Sequence, residues 1–298
     1  MNDMSIEGSE PLSKYRSDQL FVGSDICDES FAKIRNILFD GRGFDLDGYK
    51  DRCIKRRIAA RIRNLGYRQI EDYIELLHNN DVEQEQLLEA LTIHVSQFFR
   101  NPSTFSVLEE TILPELLQSR RGIGEIRVWS VGCAGGEEPY SIALLLDELC
   151  RPTDKVSILG TDVSADILKK ARSGLYETHR LVEVPNPVLA KYFIQEGVRY
   201  RLDGRILNKV RFFRHNILQD RPFPRMDLIL CRNMLIYFSR MEQERILRIL
   251  ANALAPEGLL VLGRAETMVN ESRELFTCVD PVERIYRKRD EEICISDT

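Results

Sequence analysis

Two rhythms of apolar and polar residues divide this chain, and one gives way to the other near Glu125. From Asp28 to about Pro114 the apolar residues recur at helical spacing. The segment Glu29–Phe39 sets Phe31, Ile34, Ile37 and Leu38 on one face. A second helix over Tyr49–Arg63, closed by Leu65-Gly66, turns Cys53 or Ile54, then Ile58 and Ile62, inward. Its opposite face carries Arg52, Lys55, Arg56, Arg57, Arg61 and Arg63. Further helices are expected over Ile70–His78, Glu83–Thr92 and Phe105–Leu117.

Beyond Glu125 short apolar runs alternate with helical segments, the signature of a mostly parallel sheet. Strands are predicted over Ile126–Val131, Val156–Thr161, Arg211–Asn216, Met226–Arg232 and Gly258–Gly263. Phe276–Val279 and Glu283–Arg287 are expected to close the sheet as an antiparallel hairpin, giving seven strands. Between them fall helices over Tyr140–Leu149 (with Pro139 in its first position), Ala165–Ser173 and Arg240–Leu254. The segment from Tyr176 to Lys209 is less regular. Its last part, Arg199–Leu207, reads as two short strands around Asp203-Gly204, hence a small insertion.

Composition narrows the class without choosing a function. At 298 residues the chain is long enough for two domains with cores of their own. No apolar run approaches membrane-spanning length, and Met1–Glu10 lacks the regions of a signal peptide. A net charge of −5 gives no sign of nucleic-acid binding. The seven cysteines are scattered without a C-x-x-C pair, which argues against structural zinc and fits a reduced, cytoplasmic compartment. Cys133 and Cys231 are expected to be small buried fillers. The polar stretches 1–25 and 289–298 are expected to be flexible tails flanking a helical domain at 26–120 and a sheet domain at 125–288.

The chemistry concentrates at one strand-to-helix turn, Val131-Gly-Cys-Ala-Gly-Gly-Glu-Glu-Pro-Tyr140. Glycines there let a ligand approach the backbone, as in the nucleotide sites of open α/β sheets. Glu137 and Glu138 at the helix start oppose a pyrophosphate, and the glycine spacing fails the dinucleotide fingerprint. S-adenosylmethionine carries a sulfonium and an ammonium and no phosphate, so two carboxylates suit it. Asp162, at the end of the second strand, has the two acceptors that a pair of ribose hydroxyls needs. Asn216 and Asn233 end the third and fourth strands on the same edge, with donors and acceptors for an adenine.

Four motifs resemble one family. Phe98-Phe-Arg100, Gly132–Ala143, Ala171-Arg-Ser-Gly-Leu-Tyr176 and Cys231-Arg-Asn-Met-Leu-Ile-Tyr-Phe238 look like the marks of CheR. Its members are S-adenosylmethionine-dependent protein-glutamate O-methyltransferases of bacterial chemotaxis. The resemblance implies an N-terminal all-helical domain, a Rossmann-like class I methyltransferase domain, and a small β-subdomain inserted at about 176–209. It implies cofactor contacts from His94, Ser96, Arg100, Glu138, Asp162, Asn216, Ile217, Arg232 and Asn233, with Glu137 as an alternative to Glu138. The family commonly has Asn and Thr where this chain has His94 and Ser96. Arg100 and Tyr237 would orient the substrate carboxylate, and no metal is implied.

Receptor methylation then needs little acid–base machinery. A glutamate side chain is ionised at neutral pH and is already a nucleophile. The product besides the methyl ester is S-adenosylhomocysteine. The basic face from Arg52 to Arg63, together with the inserted β-subdomain, is the expected docking surface for acidic receptor helices. The enzyme is expected to act as a monomer without nucleic acid and without inserting into the membrane. Two competing readings are a non-catalytic S-adenosylmethionine-binding signalling module and a methyltransferase for another substrate.

Overall fold

The computed structural model describes residues 26–91, 96–120 and 124–289. The expected tails lie outside these residues, Arg289 excepted, and so does His94.

Four helices form the N-terminal domain: α1 (Asp28–Arg42), α2 (Asp51–Asn64), α3 (Ile70–Asn79) and α4 (Asp81–Leu91). Their apolar stripes meet in one core in which Ile34, Leu38, Ile58, Ile62, Tyr73, Leu77 and Leu87 are completely buried. Each such aliphatic side chain contributes roughly 1.5–3 kcal/mol by leaving water. The next helix begins earlier than the apolar pattern indicates. It runs through α5 (Pro102–Val107), a π-helical turn (Leu108–Ile112) and α6 (Leu113–Arg120). Pro114 brings no N–H and crowds the carbonyl four residues back, and the helix widens just before it.

The second domain alternates strands and helices: β1 (Glu125–Val131), α7 (Glu137–Leu149), β2 (Lys155–Asp162), α8 (Ala165–Ser173). A small sheet follows from β3 (Leu175–Glu177), α9 (Asn186–Tyr192), β4 (Phe193–Glu196) and β5 (Arg199–Leu202), then α10 (Gly204–Leu207). The chain returns to the main sheet through β6 (Val210–Arg214), β7 (Met226–Cys231), α11 (Arg240–Ala253), β8 (Leu254–Leu262), β9 (Phe276–Asp280) and β10 (Ile285–Lys288). Seven strands lie in the order β6-β2-β1-β7-β8-β10-β9. The first five are parallel; β10 runs antiparallel to both β8 and β9. From β1 the order runs outward to β2 on one side and to β7 on the other, and at such a switch point an open sheet leaves a crevice at its carboxyl edge. This is the fold of a class I methyltransferase joined to an all-helical domain.

Two local expectations are corrected. The inserted hairpin does not turn at Asp203-Gly204. It turns at Gly197-Val198, where Gly197 takes φ 62°, and β5 pairs with β4 on one side and β3 on the other. Asp203 instead caps α10, accepting from the Arg205 N–H at 2.7 Å. Pro139 is the third residue of α7, because Gly136 is the N-cap and Glu137 and Glu138 already belong to the first turn. Gly136 sits at φ 87°, and a Cβ there would stand 3.0 Å from Ala171, Phe212 and Tyr140, so only glycine fits.

Candidate active site

The carboxyl edge of the sheet supplies one wall of a cleft and the helical domain supplies the other. Val131 ends β1 and Gly132 follows it, Asp162 ends β2 and Val163 follows it, and His215, Asn216 and Ile217 follow β6. Asn233, Met234, Tyr237 and Phe238 come from the loop after β7. Opposite them stand Tyr49, Cys53, Ile54, Arg57 and Leu91. The two walls are stitched by backbone. Lys50 donates its N–H to the Tyr237 carbonyl at 2.9 Å, and Ser239 donates to Gly48 at 2.9 Å. Tyr49 and Phe238 form an antiparallel bridge, their ring centroids 4.6 Å apart.

Asp162 is buried at the floor of the cleft. Its Oδ2 accepts the Ala134 N–H at 3.0 Å and its Oδ1 accepts the Ser164 N–H at 3.0 Å. It therefore ties the glycine turn to the start of α8 while its carboxylate lines the cleft. Asn216 lines the cleft too, and its Oδ1 accepts the Leu218 N–H at 3.1 Å, closing a turn of its own. Asn233 stands in the left-handed region at φ 58°.

The remaining expected contacts divide. Ser96, Arg100, Glu138 and Arg232 are not among the residues that line the cleft. Arg232, its side chain only 2% exposed, donates to the Arg100 carbonyl at 2.7 Å, to Asn101 at 3.0 Å and to Glu138 at 3.3 Å. Its guanidinium also lies over the Phe105 ring. Glu138 accepts a second hydrogen bond from the Ser130 hydroxyl at 2.7 Å. Glu137 is buried; the Arg180 guanidinium lies 3.2 Å from it and Ser96 hydrogen-bonds it. Burial raises its pKa, with Arg180 and Ser96 among the groups opposing the rise.

Tyr237 is the polar group of the loop after β7 that faces the helical wall. The Arg57 guanidinium lies 5.0 Å from the centre of its ring, in cation–π contact, and donates to the Leu91 carbonyl. Burial pushes the phenol pKa up, while the charges of Arg57 and Arg100 pull it down. Burial wins, so at neutral pH the hydroxyl keeps its proton and can donate it in a hydrogen bond.

The expected six-residue basic stripe on α2 is not a continuous surface. Lys55 pairs with Asp28 at 2.6 Å, Arg61 pairs with the buried Glu83 at 2.7 Å, and Arg57 turns into the cleft. Arg52 and Arg56 are the exposed arginines on it. Burial beside the loop after β7 was invisible in the helical pattern, where Arg57 is one charge among several. Cys133 and Cys231 are buried, with thiol pKa values pushed up, so they are inert fillers. Among the described residues no cluster of three His, Cys, Asp or Glu side chains could hold a metal ion.

The model of the CheR methyltransferase S-adenosylmethionine-binding domain matches residues 94–284, and the model of the CheR all-alpha domain matches residues 29–92. The chain belongs to the CheR methyltransferase family. Among its relatives, the chemotaxis protein methyltransferase of Listeria monocytogenes is 35% identical over 228 residues, 76% of this chain and 86% of that protein. Those of Salmonella typhimurium and Escherichia coli are 34% and 32% identical, over 84% and 83% of this chain and 87% of each relative. Membership makes the chain an S-adenosylmethionine-dependent methyltransferase of chemotaxis, and the all-alpha domain is the part that contributes Arg57 and Tyr49 to the cleft. No helix among the described residues is long and apolar enough to cross a membrane.

Proposed function

We propose that this protein methylates glutamate side chains on the cytoplasmic helices of chemoreceptors, working in the cytoplasm as a monomer. The observation that carries the reading is the convergence of Tyr237 and Arg57, with the charge of Arg100 felt at the same phenol, at the mouth of a cleft floored by Asp162. The donor set fits S-adenosylmethionine. Asp162 would offer an anion to the ribose hydroxyls, and Asn216, Ile217 and Asn233, which line the same cleft, would hold the adenine side. Arg232, Glu138 and Ser96 hold the wall behind them.

S-adenosylmethionine supplies an electrophilic methyl group on a sulfonium. Its acceptor would be a glutamate carboxylate, already ionised at neutral pH, so that the carbon–sulfur electron pair would leave with sulfur and no general base would be needed. The protein's task is alignment. Tyr237 donates to one carboxylate oxygen while Arg57 and Arg100 set a positive potential around it. The walls exclude water, which favours a step in which opposite charges cancel. Exposed Arg52 and Arg56 lead acidic helices to the cleft, and the inserted β-subdomain offers a second surface of contact.

Incubation with methyl-labelled S-adenosylmethionine and receptor-bearing membranes of the host tests the proposal. A receptor band whose label is released by mild base supports it. Label on another macromolecule, or label stable to base, overturns it.

A further inference from the structure

One buried acid belongs to no step above. Glu266 follows β8 and is 3% exposed, and the Arg232 side chain, just before the loop after β7, is committed to Arg100, Asn101 and Glu138. Its carboxylate is instead surrounded by backbone N–H groups. Oε2 accepts from Gly263 at 2.6 Å and from Asn233 at 2.8 Å, and Oε1 accepts from Ile236 at 3.3 Å. Gly263 is part of the same device, since a Cβ there would stand 2.6 Å from that carboxylate and 2.8 Å from the Asn233 nitrogen.

Two of these three donors belong to the loop after β7, which carries Asn233 at one end and Tyr237 at the other. Asn233 is held at φ 58°, in the left-handed region that asparagine tolerates better than most side chains. From the other side the loop is held by Gly48 and Lys50. We propose that Glu266 is a positioning residue for methyl transfer: its carboxylate clamps the 233–237 loop from below so that the Tyr237 hydroxyl meets the substrate carboxylate. Burial raises the pKa of Glu266, and its backbone hydrogen bonds, led by those from Gly263 and Asn233, oppose the rise. A carboxylate kept in so dry a place is there for its acceptors: two oxygens serve three donors that one amide oxygen cannot serve. The inference rests on the role given to Tyr237.

The test joins a conformational readout to a kinetic one. In Glu266→Gln, 3-fluorotyrosine at position 237 should show a shifted or broadened fluorine resonance where the parent protein shows one sharp line. Turnover at saturating receptor should fall tenfold or more with receptor KM little changed. In the Tyr237→Phe background the same substitution should cost no more than about twofold, because the group it positions is gone. Gly263→Ala, which leaves the carboxylate but presses on it, should reproduce these effects if Glu266→Gln does not fold. An unchanged fluorine line in either folded variant, or full multiplication of the two rate losses, overturns the inference. A normal rate for Tyr237→Phe itself, with the fluorine line altered, removes the role of Tyr237 while leaving the clamp in place.

Discussion

Asp162→Asn should separate ligand affinity from fold. In the wild type the carboxylate accepts two backbone N–H groups, from Ala134 and Ser164, each at 3.0 Å. Hydrogen bonds to a charged acceptor are worth about 1.5–3 kcal/mol and neutral ones about 0.5–1.5, so each loses about 1 kcal/mol when the charge goes. The amide also turns an NH2 toward one of the two donors, leaving it unsatisfied at a further cost of about 1–3 kcal/mol. A stability loss of about 3–5 kcal/mol is expected, within what a stable folded domain survives. The ribose hydroxyls of S-adenosylhomocysteine lose the same charged acceptor, about 2 kcal/mol for two bonds, which is about a thirtyfold loss of affinity. Titration calorimetry with S-adenosylhomocysteine, run well below the variant's melting temperature, reads the affinity, and urea unfolding reads the stability. A folded Asp162→Asn protein that binds within about twofold of wild type would refute the ribose contact and leave Asp162 as a turn-stabilising residue alone.

Three further outcomes follow from the same geometry. Tyr237→Phe should leave S-adenosylhomocysteine affinity unchanged and lower single-turnover methyl transfer about tenfold or more; an unchanged rate would make the phenol structural. Charge reversal of the exposed pair, Arg52→Glu with Arg56→Glu, should raise receptor KM several-fold at low salt with turnover preserved. Arg57→Ala should instead lower turnover, and equal kinetic signatures for the two variants would contradict the division of the α2 face. Glu283 is desolvated, yet Arg264 at 2.5 Å, Thr104 and Ser103 bring its pKa down to about 2. Because its folded pKa lies below the unfolded value, its contribution is present above about pH 4.5 and lost as pH falls toward 2. The stability gap between wild type and Glu283→Gln, measured by urea unfolding, should therefore shrink over that interval; a gap constant with pH would show that the ion pair is not the source.

What could be read from sequence had a local cause. The parallel strands announce themselves because, buried on both faces, they are nearly continuous apolar runs such as Met226–Cys231, and Asp162 stands out as an acid ending one of them. The basic face of α2 was legible as a face but not as three different environments. Only the packing of that helix over the sheet edge separates Arg57 in the cleft from Arg61 on Glu83 and from exposed Arg52. Arg232 sits in a recognisable motif, yet its work is done through Arg100 and Asn101, more than a hundred positions away. Glu266 had no signal at all: it is an isolated acid in a loop, and its partners are backbone donors that any residue type would present. The hairpin misplaced at Asp203-Gly204 shows the same limit, since Asp-Gly serves a helix start as readily as a tight turn.

In the function proposed here, one cleft shared by the helical and methyltransferase domains delivers a methyl group from S-adenosylmethionine to a receptor glutamate. The most direct measurement is residue-level mass spectrometry of a purified receptor cytoplasmic fragment after reaction with this protein and S-adenosylmethionine. Methyl esters are expected on glutamate side chains of its helices, removable by mild base and sharply reduced with Tyr237→Phe. Methyl groups on any other residue type, or an unmodified fragment alongside tight S-adenosylhomocysteine binding, would contradict it.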